Sequence, residues 1–304
     1  MVNMDILLIG SEGQVAWELR RTLACLGRVV ALGRHTLPAL DLSDTDAIRQ
    51  AVRTHRPNLI VNAAAYTAVD KAEQESEAAH RINAEAVGIL AEAARAIGAA
   101  LIHYSTDYVF PGDASQPYLE DAMTGPLGVY GLSKLQGEEY IRQVGVPHMI
   151  LRTAWVYGGR GANFLLTMLR LMRERESLGI VDDQHGAPTW SRMIAEATAL
   201  LAARCDRDGG FDAAAHGGTY HLTSAGETTW FGFASRIREL ALSQGLLSES
   251  AAVLKPIPTS AYPTPAQRPQ YSVLSNEKLR SAFGLALPQW DDALQLCLAD
   301  MPRP

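Results

Sequence analysis

Cysteine is scarce in this chain of 304 residues, with only Cys25, Cys205 and Cys297. Three widely spaced thiols, without a Cys-x-x-Cys pair or a His-rich neighbourhood, exclude a disulfide framework or a thiolate metal centre as the basis of the fold. They read as buried thiols of a reducing compartment. Basic charge is also in short supply: 27 Lys and Arg against 33 Asp and Glu leave a formal net charge of −6, with no long run of cations. Such a chain offers no electrostatic footprint for a nucleic acid or an anionic membrane surface. No apolar run reaches the roughly 18 residues of a membrane-spanning helix, and Asp5 stands in the first ten residues where a secretory leader is basic and then apolar. These absences predict a cytoplasmic protein whose partner is a small molecule.

What is present is an alternation of short apolar runs and helical patterns, with 47% hydrophobic residues, enough for a substantial core. Asp5-Ile6-Leu7-Leu8-Ile9 reads as a strand, Gly10 to Ala16 as a glycine turn, and the spacing of Leu19, Leu23 and Leu26 as a helix. At the first strand-to-helix junction of an alternating chain, Gly10-x-x-Gly13 reads as a dinucleotide site. Its glycines admit a pyrophosphate, and the N–H groups at the helix start hold the charge. Ala16 stands at the third small position. The second strand, Val29 to Leu32, ends in Gly33-Arg34-His35 with no acid to accept a ribose 2′-hydroxyl. Arg34 there either meets a 2′-phosphate, which favours NADPH with NADH as the alternative, or points into solvent. Asp41 and Leu42 fall where the next crossover begins and where an adenine can be flanked.

Further strands are predicted over Leu59 to Asn62, Ala100 to Ser105, His148 to Thr153 and Tyr220 to Leu222. Helices are expected over Thr45 to His55, Ala79 to Ile97, Tyr130 to Val144, Asn163 to Arg175, Ser191 to Arg204 and Trp230 to Gln244. Asp182 to Thr189 reads as a polar loop, Gly210 to Gly218 as a small flexible segment, and the Pro-rich stretch Lys255 to Pro269 as an extended loop. The fold class is α/β: a Rossmann-type, doubly wound parallel sheet with a smaller C-terminal substrate-binding lobe. Residues 1–155 form the dinucleotide-binding domain, and 156–304 are mainly the lobe, with some segments returning to the first domain.

Two patterns carry chemistry. Small residues Ala63, Ala64 and Ala65 follow the third strand and leave room for a cofactor, while Thr106 ends the strand after it, at the edge where open parallel sheets collect ligands. Thr106 is either a β-branched strand residue or a hydroxyl aimed at a ligand. Tyr130 and Lys134 lie four residues apart at a helix start and share one face. A nearby cation draws a phenol's pKa down by favouring the phenolate, so the pair suits proton transfer, unless it is a solvated surface pair.

With Gly10-x-x-Gly13-Gln14-Val15, Asn62 to Asp70, Ser105 to Phe110, Tyr130-Gly131-x-x-Lys134, Arg152 to Tyr157, Asp183-Gln184-x-Gly186-x-Pro188-Thr189 and Arg268-Pro269 in this order, the chain resembles the extended short-chain dehydrogenase/reductase superfamily over essentially its whole length. The resemblance falls in its branch of dTDP-sugar reductases. It implies NADPH-dependent reduction of the C4 ketone of a dTDP-linked 4-dehydrorhamnose. It further implies Tyr130 as acid/base, Lys134 as its electrostatic partner and a contact to the nicotinamide ribose, and Thr106 as the hydroxyl that polarises the carbonyl. Gly10, Gly13, Gln14, Val15, Asp41, Leu42, Ala63, Ala64, Ala65 and Tyr104 match cofactor positions. Thr106, Asp107 and Trp155 match positions facing the deoxysugar.

Gly128 departs from the family, which commonly has Asn there, and Ala16 replaces its third glycine. Arg268 in the Pro-rich arm is the candidate for the substrate's diphosphate, or else a solvent-exposed loop residue. Glu18 matches a place where some relatives bind magnesium near a dimer interface; without partners for it the metal is left unassigned, and a homodimer stays open. His103, His185 and His221 read as structural. The competing readings are a nucleotide-sugar 4-epimerase or dehydratase, which regenerates its cofactor, and a noncatalytic subunit like the regulatory subunit of methionine adenosyltransferase.

Overall fold

The apolar runs of the first half assemble into a parallel sheet in a computed structural model that describes residues 4–207 and 210–302. The first three residues of the stretch examined for a leader lie outside it. In chain order come β1 (Met4–Ile9), α1 (Gln14–Thr22), β2 (Gly27–Leu32), α2 (Thr45–His55) and β3 (Leu59–Asn62). A bulged helix α3 follows, made of Ser76–His80, a π-helical turn Arg81–Glu85 and Ala86–Ile97, then β4 (Ala100–Thr106), α4 (Val129–Val144) and β5 (His148–Thr153). Beyond them are α5 (Phe164–Glu174), β6 (Ser177–Val181), α6 (Ser191–Cys205), β7 (Gly218–His221), α7 (Trp230–Ser243), β8 (Val253–Ile257), α8 (Glu277–Phe283) and α9 (Trp290–Ala299).

The main sheet runs β7-β5-β4-β3-β1-β2, with every neighbouring pair parallel. Parallel strands covered on both faces read as unbroken apolar runs, and Ile6, Leu7, Leu8 and Ile9 of β1 are all buried. On one face Leu19 and Leu23 beside α1 pack with Ile194 and Leu201 of α6. On the other, Ile48 and Val52 of α2 pack with Leu90 and Ala94 of α3. A separate core gathers α5, α7 and α9 around Tyr157, Phe233 and Leu294, with β6 and β8 paired beside it. This is the smaller C-terminal lobe of a Rossmann-type fold. No helix of the described residues is long and apolar enough to cross a membrane.

The strand order reverses between β1 and β3, which opens a crevice at their carboxyl ends, the place where ligands bind in open α/β sheets. Several local expectations change. The helix expected over Ala79 to Ile97 begins at Ser76 and is interrupted by the π turn. The turn brings the Asn83 carbonyl against α4, where a Cβ on Gly137 would stand 2.2 Å from that oxygen. Part of the Pro-rich stretch is a strand: β8 pairs with β6 from Val253↔Ser177 to Ile257↔Val181. Its Pro256 is tolerated because a two-stranded sheet has only edges. The polar loop after β6 contains the bridging pairs His185–Gly186 and Thr189–Trp190, and the segment Gly210 to Gly218 contains a short helix, Ala213–His216.

Gly137→Ala is expected to destabilise the protein by about 1–3 kcal/mol, since backbone and not a flexible side chain must yield. Thermal unfolding checks it: a Tm lowered by several degrees is expected, and an unchanged Tm would show that α3 and α4 do not meet at this point.

Candidate active site

Gly10 follows β1 with φ 104°, a left-handed value that L side chains avoid. It packs so closely that a Cβ there would lie 3.3 Å from the Ala16 methyl and 3.4 Å from the Ala64 nitrogen. Ala16 is fully buried, so a small residue is needed at that third position, and alanine satisfies it. Gly13 precedes α1, no described side chain caps it, and a Cβ added there meets no heavy atom within 4 Å. The first N–H groups of α1 are therefore open to a phosphate. Ala63, Ala64 and Ala65 line the neighbouring edge after β3, with the Ala63 nitrogen donating to the Ile9 carbonyl at 2.9 Å. An uncapped helix start, a glycine in the left-handed region and an open cradle fit a dinucleotide.

The other side of the crevice is the carboxyl end of β4 and the first turn of α4. Thr106 is buried, donates its hydroxyl to Asp107 Oδ1 at 2.9 Å and accepts from the Tyr108 nitrogen at 3.2 Å. Tyr130 is half-buried, meets the Tyr108 ring edge-on at 5.6 Å, and lies near enough to Thr106 for that hydroxyl to act on its phenol. Burial pushes the Tyr130 phenol up to about 12, with the Thr106 contact opposing. Burial likewise pushes Asp107 up to about 6. Lys134 is only 2% exposed; its Nζ donates to the Tyr104 carbonyl oxygen at 2.6 Å and lies 3.2 Å from His103 Nε2. Burial draws Lys134 down to about 8, and Glu138 works the other way. At neutral pH the pair is therefore a neutral phenol and an ammonium.

One turn beyond Lys134, Glu138 is fully buried. Burial pushes its carboxyl up, but two hydrogen bonds from Arg152, at 2.9 and 2.7 Å, hold it below the usual carboxylate range. This fork-to-carboxylate pair anchors α4 to β5. Ser133 donates to the Tyr130 carbonyl at 2.8 Å and accepts from Asn83 Nδ2 at 3.0 Å. Asn83 also exchanges hydrogen bonds with both backbone groups of Tyr66, so the π turn ties the loop after β3 to the helix that carries Tyr130.

The remaining candidates divide. Gln14 accepts from Asn163 Nδ2 at 2.9 Å and so ties the glycine turn to the loop before α5. Val15 and Leu42 pack against the cores on either side of the sheet. Arg34 is exposed at the end of β2, close enough to Asp41 to help hold that carboxyl low, after the larger effect of hydrogen bonds from Ser43. The Tyr104 phenol turns into the core onto Thr198 at 2.6 Å, so its carbonyl is what Tyr104 brings to the site. Trp155 has φ 46°, and its indole stacks on Trp230 at 3.5 Å and 4°. Gly186 backs the same ring, where a Cβ would come within 2.4 Å. Arg268 donates to Asp70 at 2.8 Å through Nη2, while buried Nη1 has no partner among the described residues. The Pro-rich arm is pinned again by the Thr259 hydroxyl, which donates to Asp183 at 2.6 Å.

Glu18 is no acidic cluster. Its carboxylate is paired with Arg21 and, at 3.4 Å, with Arg192, whose other arm reaches Asp300 at 2.8 Å. Two guanidiniums already neutralise it, and among the described residues no three His, Cys, Asp or Glu side chains stand together to share a metal. These residues do not fit a magnesium ion. Of the histidines, His221 is buried with Nδ1 near the Ser275 carbonyl at 3.1 Å, and burial holds it down at about 3.

Asn83, Glu138 and Trp230 carried no signal in the sequence, Asn62 and Asp70 entered only as the ends of a motif, and His103 was placed among structural residues. The parallel register sets Asn62 opposite His103, so their side chains share a face, a pairing that no local pattern of the sequence encodes.

A family model described as RmlD substrate binding domain matches residues 4–303. The chain is 48% identical over 302 residues to the dTDP-4-dehydrorhamnose reductase of Burkholderia thailandensis, covering 98% of this chain and 99% of that protein. It is 46% identical over 300 residues to the Escherichia coli K12 protein of the same name, covering 98% of each. The crystal structure of dTDP-4-dehydrorhamnose reductase from Bacillus anthracis in complex with NADP superposes with a TM-score of 0.88 at 31% identity, covering 98% of this chain and 100% of that one.

Arg152→Met leaves the buried Glu138 carboxylate with only the more exposed Arg142, at 3.1 Å, and breaking a buried pair from one side costs up to about 3–5 kcal/mol. Denaturant midpoints check this: a large loss is expected, with much of it recovered in the Arg152→Met, Glu138→Gln double variant. Equal loss in both would show that the pair's charge is not what matters.

Proposed function

The chain belongs to the RmlD substrate-binding-domain family, and on that premise we infer that it is an NAD(P)H-dependent reductase that converts dTDP-4-dehydro-L-rhamnose to dTDP-L-rhamnose. The observation that carries the assignment of residues is the meeting of Tyr130 with Thr106 at the carboxyl end of β4, with buried Lys134 one turn along α4.

Gly10, Gly13 and the start of α1 would hold the pyrophosphate, and Ala63, Ala64 and Ala65 would flank the rest of the dinucleotide. When bound, the cofactor supplies the two electrons and the hydrogen taken up by the sugar's C4 carbon. As that carbon is reduced, negative charge grows on its oxygen, and a positioned acid lowers the barrier. Tyr130 is that acid. A pKa near 12 keeps the phenol protonated at neutral pH, which is the form a reduction needs. Thr106 turns its hydroxyl from Asp107 to the same oxygen, a preorganised donor aimed where charge develops. Lys134 stabilises the phenolate left behind and holds the ribose.

Trp155, held by Trp230 and Gly186, presents the part of its indole that they leave exposed to the deoxysugar. Arg268, with one nitrogen on Asp70 and another unpartnered, meets the diphosphate. Arg34 supports NADPH over NADH, in keeping with the NADP held by the Bacillus anthracis relative. The boundary near residue 155 separates the cofactor-binding part from the mainly substrate-binding part.

Tyr130→Phe is expected to lose about 10²–10⁴-fold in turnover while still binding NADPH. The test is NADPH oxidation driven by the dTDP-4-keto sugar, with cofactor binding followed by fluorescence. Turnover close to wild type would overturn the assignment, and a cofactor that is returned rather than consumed would mark an epimerase. The pH profile of kcat/KM for NADPH should fall on the alkaline side around pH 8, as Lys134 of the free enzyme loses its proton; a profile flat through that range would remove the ammonium's role. Arg34→Ala should raise KM for NADPH more than for NADH, and equal effects would remove the phosphate contact.

A further inference from the structure

His103 is fully buried on β4, with a polar neighbour at each ring nitrogen: Nδ1 lies 3.1 Å from the Asn62 amide nitrogen and Nε2 3.2 Å from Lys134 Nζ. Burial, and then the charge of Lys134, hold the ring well below its ordinary pKa, so it stays neutral. A neutral imidazole carries one proton, and only one of its nitrogens can accept a hydrogen bond. Two arrangements satisfy that limit. An ammonium at Lys134 has only donors, so Nε2 accepts, the ring proton sits on Nδ1, and Nδ1–H requires the oxygen of the Asn62 amide. An amine at Lys134 keeps N–H donors but adds a lone pair, so only in this form can Nε2–H donate to it, which lets Nδ1 accept from the Asn62 amide N–H. In the second arrangement the amide oxygen is turned to the Ala64 N–H, at 3.3 Å; the structure has this orientation, that of the amine, and the ammonium present at neutral pH requires the amide turned over from it. That N–H is packed against Gly10, at the head of the glycine turn.

We propose that His103 is a positioning residue for Lys134: it couples the protonation of the lysine to the orientation of the Asn62 amide, and through it to the Ala64 N–H beside the glycine turn, so that dinucleotide binding takes up a proton. The last link rests on the reductase reading; the coupling of Lys134, His103 and Asn62 does not. The ammonium frees the Ala64 N–H for an anionic ligand, whereas the amine leaves it captured by Asn62. The other charged and titratable groups leave this switch to Lys134. Glu138, on the same helix, favours the ammonium and is itself paired with Arg152 of β5 and Arg142 of α4. His221 of β7 lies beside that pair and is neutral. Tyr130 stays protonated, Asp107 lies at its end of the site, and Tyr104 contributes a carbonyl that accepts from either form.

The direct test is nitrogen-15 NMR of histidine side chains in the full-length protein, from well below to well above the pKa of Lys134, with the His103 signals identified by their loss in His103→Gln. The expected result is a ring that remains neutral and moves from the Nδ1–H to the Nε2–H tautomer as pH rises. One tautomer throughout, or an imidazolium, would overturn the coupling. Asn62→Asp, whose carboxylate only accepts, should hold the proton on Nδ1 and abolish the change; a change that persists in it would also overturn the coupling. The second measurement is calorimetry of NADPH binding near the pKa in buffers of different ionisation enthalpy. Net proton uptake is expected, with Kd rising toward about tenfold per pH unit above the pKa, and both lost in His103→Gln. Binding without uptake, or with unaltered uptake in that variant, contradicts the proposal and leaves the reductase reading intact. Failure of NADPH to bind at all would remove the reductase reading while leaving the NMR result to judge the coupling.

Discussion

Burial of the Lys134 ammonium beneath the carboxyl edge of β4 is the constraint on which the arrangement depends. A charge removed from water costs several kcal/mol unless it is partnered, and here the Tyr104 carbonyl, His103 and Glu138 attend it. Those partners come from β4 and α4, so α4 must approach the sheet edge closely. Glycines make that approach possible: a Cβ at Gly131 would stand 2.2 Å from the Tyr108 carbonyl oxygen, and one at Gly137 equally close to that of Asn83. With α4 seated, Tyr130 is delivered to Thr106. The same approach sets the chemistry, because burial keeps the phenol protonated while leaving the lysine charged near neutrality.

Much of this was legible in the chain itself. Unbroken apolar runs such as Ile6 to Ile9 announced strands buried on both faces, and the glycines at the first junction announced the tight turn between β1 and α1. The spacing of Tyr130 and Lys134 announced one shared helical face. Local signals of this kind survive folding because they concern neighbours along the chain. Gly10 is an example, since its left-handed φ is required wherever the turn is made.

What was not legible concerns partners far apart in sequence. Arg268, expected to face a diphosphate or solvent, has one nitrogen on Asp70, and Gln14 spends its side chain on Asn163. His103 looked like an ordinary core histidine until the register of β3 and β4 set Asn62 beside it. The π turn in α3 has no periodicity of its own; it follows from the need of the Asn83 side chain to reach both Tyr66 and Ser133. Trp155 stands in a left-handed conformation that costs about 1–3 kcal/mol, and only the stack on Trp230 and the bare face of Gly186 account for it. The strand β8 hid behind prolines, because composition says nothing of which edge a segment will join.

The proposed reaction requires one juxtaposition, that of a sugar ketone with the Tyr130 phenol beside the cofactor. The most direct measurement is a crystal structure of the protein with NADP and a dTDP-sugar bound together. It should place the C4 oxygen about 2.6–3.2 Å from both the Tyr130 hydroxyl and Thr106 Oγ1. A sugar seated with that oxygen turned away from both hydroxyls, or bound outside the crevice between β4 and the lobe, would contradict it.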